Sequence, residues 1–361
     1  MTRASLKLVL VSTPIGCLGS GEGGGVELTL CSMLKGLLAR GHELIVIAPE
    51  GSQLPEGCSG VMMQEVNGSD QQSWQHSDPD APMTIPFDGV LPRLWEKALA
   101  FDDSVDAVIN FAYDWLPFWL TPRVDARLFH MVSMGSVGRV MQNIIGDIAQ
   151  WDQRRLAFHT FRQAEDFSLP EKPVVVGNGF DLSHYNFNLK QYGPIGWAGR
   201  VAPEKGLEDA AVVAAELQEP LWVWGKIADQ SYADAIEATV PKGTIEWRGF
   251  LPTCQLQKEL GFCRALLNTP KWNEAYGNVI VEAMACGVPV VAYDRGGPGE
   301  LIDSGITGLL VKPDDLDELK AAVQRAHEID RKACRDWVER FASNDVLAEK
   351  VEAWICSGLD G

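Results

Sequence analysis

The chain has 361 residues, 46% hydrophobic, 22% charged and 9% aromatic, which is more than one hydrophobic core usually holds and suits two domains. Its formal net charge of −18, from 31 Lys+Arg against 49 Asp+Glu, excludes a reader of nucleic acid and disfavours anionic membrane surfaces, since both need a basic face. The eight cysteines show no C-x-x-C spacing and lie mostly among apolar neighbours, so reduced thiols and a cytoplasmic location are expected rather than a disulfide or zinc framework.

In chain order, Leu6 to Val11 reads as a buried strand, too short and too strand-like for a secretory signal. Apolar residues at Val26, Leu30, Met33, Leu34, Leu37 and Leu38 have helical spacing that stops at Gly41, and a second strand follows at Leu44 to Ala48. Strand, helix, strand in this order implies parallel pairing with a right-handed crossover. Gly51 to Asp88, rich in Gly, Ser, Gln, Asp and Pro, reads as a long surface excursion. Further strands are expected at Ala107 to Ala112, Arg127 to Met131 and Val174 to Gly177. The pattern then restarts. Strands at Ile195 to Ala198, Leu221 to Trp224, Thr244 to Trp247, Ala265 to Asn268 and Val288 to Tyr293 alternate with helical stretches at Lys205 to Leu217, Tyr276 to Ala285 and Leu316 to His327. The organisation predicted is α/β, with two doubly wound Rossmann-like domains at 1–180 and 194–340. A linker spans 181–193, and a C-terminal helix at 341–361 can cross back to the first domain. No apolar stretch approaches the ~20 residues of a membrane span.

Two places carry the chemistry. Glycines between the first strand and its helix, from Gly16 to Gly25, allow close backbone approach to an anion at a helix N-terminus. The same glycines also read as a plain flexible loop. No P-loop lysine is present, and the glycine spacing does not fit a dinucleotide fingerprint, for which Glu50 is the one ribose-binding candidate. In the second half, Arg200 and Lys205 follow a strand at the edge of the expected cleft. They can grip a diphosphate, Arg through its planar fork and Lys as a compact charge, or stand as solvated surface charges. Glu274 precedes a helix and Glu282 lies in its second turn, so the free N–H groups from Ala275 to Val279 lie between two carboxylates. That arrangement suits a sugar diphosphate, with N–H groups on phosphate and carboxylates on hydroxyls. Glu282 in an apolar turn is costly to bury without such a partner, while a helix with one solvent-facing Glu is the plain alternative.

These residues together resemble the retaining glycosyltransferases of family 4, which have the two-domain GT-B fold. The resemblance rests on Gly24, Gly25 and Glu27; on Gly177 to Asp181; on Gly199–Arg200 with Glu204–Lys205–Gly206; and on Glu274 and Glu282 with seven residues between them. It extends through Ala283 to Val291, Gly296 to Glu300 and Gly305 to Leu309. It runs from residue 6 to about residue 325, and departs at Asn268 to Asn273, where a proline-serine start is usual but Pro270–Lys271 stands.

The resemblance implies GT-B architecture, with the two domains facing across a cleft. It implies that Arg200 and Lys205 bind the donor diphosphate, helped by backbone N–H groups at Gly24, Gly25 and at Tyr276, Gly277, Asn278 and Val279. Glu282 would hold the ribose, Glu274 would face the transferred sugar, and His130 would stand beside that sugar. The nucleotide sugar is then a co-substrate, with no cofactor. No metal-ligand cluster is visible, so metal-independent transfer is expected.

Segments Asn110 to Pro117, Ser133 to Ser136 and Thr269 to Asn278 further resemble the cyanobacterial UDP-glucose:tetrahydrobiopterin glucosyltransferases. This implies UDP-glucose as donor and tetrahydrobiopterin as a small soluble acceptor. A flat pterin would stack on Tyr113 or Trp115 and offer its adjacent N–H donors to Asp114, with Ser133 and Met134 lining the pocket. Read without the resemblance, Tyr113 to Trp119 is an aromatic core cluster with Asp114 as a helix N-cap.

Residues 1–180 carry 13 Lys+Arg against 21 Asp+Glu, which favours a soluble acceptor over the lipid or polysaccharide precursors that other members use. A nicotinamide-dependent oxidoreductase is the reading from another class, and the missing fingerprint counts against it.

Overall fold

The computed structural model describes residues 5–359 apart from 72, 75–77, 79, 102, 103 and 191. The first half of the chain runs β1 (Lys7–Val11), α1 (Gly24–Ala39), β2 (Glu43–Pro49), β3 (Met62–Val66), α2 (Val90–Leu99), β4 (Ala107–Asn110), α3 (Trp115–Leu120), β5 (Leu128–Val132), α4 (Arg139–Asp152), β6 (Leu156–Phe158), α5 (Phe161–Ala164) and β7 (Val174–Val175). These strands form one parallel sheet in the order β3-β2-β1-β4-β5-β6-β7.

The second half runs β8 (Ile195–Ala198), α6 (Leu207–Leu217), β9 (Leu221–Trp224), α7 (Gln230–Thr239), β10 (Ile245–Gly249), α8 (Thr253–Leu260), β11 (Ala265–Asn268), α9 (Asn278–Ala285), β12 (Val290–Tyr293), α10 (Pro298–Leu301), β13 (Gly308–Val311), α11 (Leu316–Arg325), α12 (Arg331–Phe341) and α13 (Asn344–Leu359). Its sheet is again parallel, in the order β10-β9-β8-β11-β12-β13. Both sheets are doubly wound and Rossmann-like.

Residues 1–179 and 344–361 form one compact unit, and 180–343 the other. In the first unit the strand period of two divides β1 between the faces. Leu8 and Leu10 pack toward α1 and α13 with Leu44 and Val46, while Val9 and Val11 pack toward α2 with Ile45 and Ile47. Covering both faces is why these strands read as unbroken apolar runs.

Helix α13 belongs to this unit. Leu347, Ala348, Val351, Trp354 and Ile355 make one helical stripe in the core. Gly36 lets the start of α13 approach α1, for a Cβ there would lie 2.4 Å from the Asn344 carbonyl oxygen. At its polar edge, Arg40 donates from Nε at 2.8 Å to Glu352, and His42 Nε2 lies 2.7 Å from the same carboxylate. The Leu6 N–H donates to His42 Nδ1 at 3.1 Å, so the ring proton sits on Nε2 and points at Glu352.

Two expectations change. The excursion from Gly51 to Asp88, part of which lies outside the described residues, contains the edge strand β3. Paired only with β2 and half-exposed, it has neither the apolar run nor the clean alternation that announces a strand. The stretch expected as a linker, 181–193, lies within the second unit. Arg331, 1% exposed, donates to the carbonyls of Asn188, Gly261 and Cys263, and Arg335 donates to those of Tyr185 and Ala285. The buried Arg331 and half-buried Arg335, so bonded, pin the segment to α12.

Candidate functional site

In the second unit, the sequence candidates gather at the carboxyl ends of β8 and β11, where open α/β sheets present their ligand-binding loops. Arg200 follows β8, and Lys205 ends a short 3-10 turn before α6. Gly206 closes that turn at φ +66°, and a Cβ there would meet the Thr269 carbonyl oxygen at 2.0 Å. Only glycine lets the Lys205 turn lie against the loop after β11. Thr269 Oγ1 donates back to the Gly206 carbonyl at 2.7 Å.

Both cations already have carboxylate partners. Arg200 Nη2 lies 2.5 Å from Glu204 Oε1, and Lys205 Nζ lies 2.5 Å from Glu274 Oε2. The same Glu274 oxygen accepts from Trp272 Nε1 at 3.1 Å, while the Lys205 ammonium sits 4.7 Å from the Trp272 ring centroid. The loop is fastened on its other side. The Gly297 N–H donates to the Glu274 carbonyl at 2.6 Å, and Cβ atoms at Gly296 or Gly297 would strike the backbone of Glu274 or Tyr276. The Gly296–Glu300 motif is thus a close-packed bed for the Glu274 loop.

Tyr276 is buried, and Gly277 stands at the N-terminus of α9 at φ +100° with no side-chain cap hydrogen bond, so the positive end of the helix lies at Asn278 and Val279. Glu282, in the second turn of α9, is 9% exposed. Tyr185 donates its hydroxyl to Glu282 Oε1 at 3.1 Å. Burial pushes the Glu282 carboxyl up to about 7, and the Tyr185 hydrogen bond opposes that shift. Burial and the nearby carboxylate raise Tyr185 well above its ordinary range, so it remains a donor.

Lys271, where the resemblance departs, pairs with other carboxylates than Glu274. Its ammonium lies 2.5 Å from Asp209 and 2.9 Å from Asp314, Asp209 also accepts from the Tyr293 hydroxyl, and Arg295 bonds Asp314 and the Pro270 carbonyl. The departure is a scaffold lock on the loop.

In the first unit the candidates follow β1, β4 and β5. Gly24 and Gly25 are exposed at the start of α1, which has no side-chain cap. Glu27 accepts from the Gly19 and Gly21 N–H groups at 2.8 and 3.1 Å, so those glycine-loop donors are used within the loop.

His130 differs from its expected place beside a sugar. It is 0% exposed, stacked on Phe118 with ring centroids 4.1 Å apart, with Nε2 2.7 Å from Thr121 Oγ1 and Nδ1 3.1 Å from Asn110 Nδ2. Burial holds its imidazole neutral, with the pKa lowered to about 3. No ring atom is open to a ligand, so His130 serves here as a core residue.

Asp114 also differs. It is the N-cap of α3, accepting from the Leu116 N–H at 3.2 Å, and its other oxygen accepts from the side chains of Trp74, at 3.1 Å, and Gln71. Burial raises its pKa against these bonds. A carboxylate so engaged has no face left for the paired donors of a pterin. Tyr113 is buried and donates to the Gly135 carbonyl at 2.8 Å, whereas Trp115 is half-exposed. Ser133 Oγ is buried without a partner among the described residues, and Met134 is half-buried with its carbonyl accepting from Gln163.

The sequence reading missed Trp272 and Tyr185 as site residues. Trp272 had one signal, an indole two residues before Glu274. Tyr185 had none, since its partner stands 97 residues on. Among the described residues no group of three or more His, Cys, Asp or Glu is placed to hold a metal ion, and no helix is long and apolar enough to cross a membrane.

The model of the family described as glycosyl transferases group 1 matches residues 190–343. An uncharacterized glycosyltransferase of Methanocaldococcus jannaschii is 27% identical over 44% of this chain, and the match spans 44% of that relative's length. D-inositol 3-phosphate glycosyltransferase of Jonesia denitrificans is 24% identical over 88% of this chain and 85% of its own. Among solved structures, Anabaena HepE in complex with UDP and glucose superposes with a TM-score of 0.73 at 17% identity, covering 98% of this chain and all (100%) of that one. HepE has also been solved with UDP-glucose. The matched structures agree with a GT-B fold, and the pattern of the group 1 family is carried by residues 190–343.

Proposed function

We propose that the protein is a retaining glycosyltransferase that moves a hexose, glucose, from a UDP-sugar to the soluble acceptor tetrahydrobiopterin. One observation carries the donor half of this reading. Lys205 and Glu274 meet at 2.5 Å beside the uncapped start of α9, with the buried Glu282 one turn further along the helix. Cation, helix N-terminus and two carboxylates are the groups a nucleoside diphosphate sugar needs for its phosphates, its sugar and its ribose. The UDP-bound HepE structures of the same fold support this assignment.

In the transfer, the bond between the anomeric carbon and the β-phosphate oxygen breaks, and the acceptor oxygen bonds to the same face of that carbon. The acceptor's proton passes to an oxygen of the departing diphosphate. Lys205, Arg200 and the α9 N–H groups stabilise the charge that gathers on that diphosphate. Glu282 takes the ribose hydroxyls and Glu274 a hydroxyl of the sugar.

The acceptor rests on the resemblance of Asn110 to Pro117 and Ser133 to Ser136 to the pterin-directed enzymes, with half-exposed Trp115 as the stacking ring. Asp114 is not part of that contact. The test incubates purified protein with tetrahydrobiopterin and a panel of nucleotide sugars, read by mass spectrometry of the pterin. A hexosyl-pterin formed from UDP-glucose supports the reading, and turnover only with other acceptors removes the pterin from it.

A further inference from the structure

The site contains one side chain to which neither the sequence pattern nor the comparisons give a role. Trp272 touches both members of the Lys205–Glu274 pair by different means: its indole N–H donates to Glu274 Oε2 at 3.1 Å, and its ring carries the Lys205 ammonium 4.7 Å from the centroid. Its neighbour Lys271 is bound instead by Asp209 and Asp314, at 2.5 and 2.9 Å.

The Lys205 charge is balanced by Glu274. An arriving diphosphate competes with Glu274 for that ammonium, and a carboxylate that loses its cation would swing free unless something else holds it. The indole N–H is that second hold, because it does not depend on Lys205. Both contacts fall on Glu274 Oε2, and on the donor reading Oε1 is the atom offered to a sugar hydroxyl.

We propose that Trp272 is a positioning residue of the donor site: its ring keeps Lys205 in place while the ammonium exchanges carboxylate for diphosphate, and its N–H keeps Glu274 aimed at the sugar. This rests on the donor reading above and deepens it, since the sugar selectivity of the site then depends on an indole that touches no phosphate.

The test separates ring from N–H in the full-length protein. Trp272→Phe keeps a ring and removes the donor, and Trp272→Leu removes both. Calorimetry with UDP and with a panel of UDP-hexoses gives, for each variant, the ratio of hexose-nucleotide Kd to UDP Kd. In Trp272→Phe the UDP Kd should stay within about twofold, whereas the ratio for the preferred hexose rises ~10-fold, the scale of a lost hydrogen bond to a charged group. Trp272→Leu should show the same rise and weaken UDP itself by a further ~3–10-fold, the scale of a cation–π contact. An unchanged ratio in Trp272→Phe overturns the proposal. So does a fall in Tm accompanied by equal losses for UDP and every hexose, which would make the indole a scaffold element. Wild-type protein that binds no UDP overturns the donor reading itself, an outcome distinct from either.

Discussion

The Tyr185 hydroxyl donates to the Glu282 carboxylate at 3.1 Å inside the second unit, joining the segment that opens that unit to the helix that follows Glu274. Arg335 holds both ends of this link through the carbonyls of Tyr185 and Ala285. A carboxylate kept this dry with one phenol for company destabilises the fold when charged, and on the proposed donor reading a ribose would supply the hydroxyls it lacks.

The sign of this cost can be measured. Glu282 has its carboxyl raised to about 7 by burial, so the native state holds a proton that the unfolded chain has released above its ordinary range near 4.5. Stability from this group therefore falls as pH rises from about 4.5 to about 7, and the full cost remains above that. Glu282→Gln should raise Tm, by more at pH 8 than at pH 5, and by no more than about 3 kcal/mol of stability. Thermal unfolding without ligand at the two pH values is the check.

Nucleotide binding should follow the same proton. UDP affinity of the wild type should weaken as pH falls from 8 to 6, because the protonated carboxyl is a poorer acceptor for ribose hydroxyls. In Tyr185→Phe the lost hydrogen bond lets the carboxyl rise further, so the midpoint of this loss should move to higher pH. A pH series of UDP titrations decides it, and a coincident midpoint in the two proteins would remove Tyr185 from the site.

The two cations should matter through the leaving group. Arg200→Ala and Lys205→Ala should each lower turnover of UDP-sugar by ~10²–10³, the range for losing one preorganised donor to developing negative charge. Near-native turnover in both variants would place the diphosphate elsewhere.

Asp114→Asn is expected to act on stability. Asparagine keeps the α3 cap but turns a donor toward Trp74, and only the Gln71 amide can flip to meet it. A loss of about 1–2 kcal/mol should appear as a lower Tm, with acceptor KM unchanged. A raised KM at constant Tm would return Asp114 to the acceptor site.

The anchor of α13 carries an acid limit. Glu352 is held at about 2, first by the Arg40 hydrogen bond and also by that from His42. A depressed carboxyl contributes stability above its ordinary range, and that contribution is lost as pH falls from about 4.5 through about 2. Glu352→Gln should cost about 2–3 kcal/mol at pH 7 and flatten the dependence of Tm on pH in that acid range. Melting curves from pH 3 to pH 7 test this.

What was legible in the sequence follows from burial. β1, β2, β11 and β12 are covered on both faces, and their runs of Val, Leu, Ile and Ala read as strands. β3 sits half-exposed at an edge and was hidden in a polar stretch. Glu274, Glu282, Arg200 and Lys205 stood out because their types and spacing carry a chemical meaning along the chain. The partners that complete them did not, because Lys205 meets Glu274 across 69 residues and Tyr185 meets Glu282 across 97. His130 and Asp114 are the reverse case: their residue types point to a ligand along the chain, while in the fold Thr121 and Asn110 bond the one and Gln71 and Trp74 the other.

The central claim is that the second unit holds a nucleoside diphosphate sugar with Glu282 on the nucleotide and Glu274 on the sugar. Titration calorimetry of UDP with wild type, Glu282→Gln and Glu274→Gln tests it most directly. UDP should bind the wild type, bind Glu282→Gln ~10-fold or more weakly despite its higher Tm, and bind Glu274→Gln as well or better, because Lys205 is there freed from its carboxylate. Equal losses in the two variants, or no UDP binding by the wild type, would contradict it.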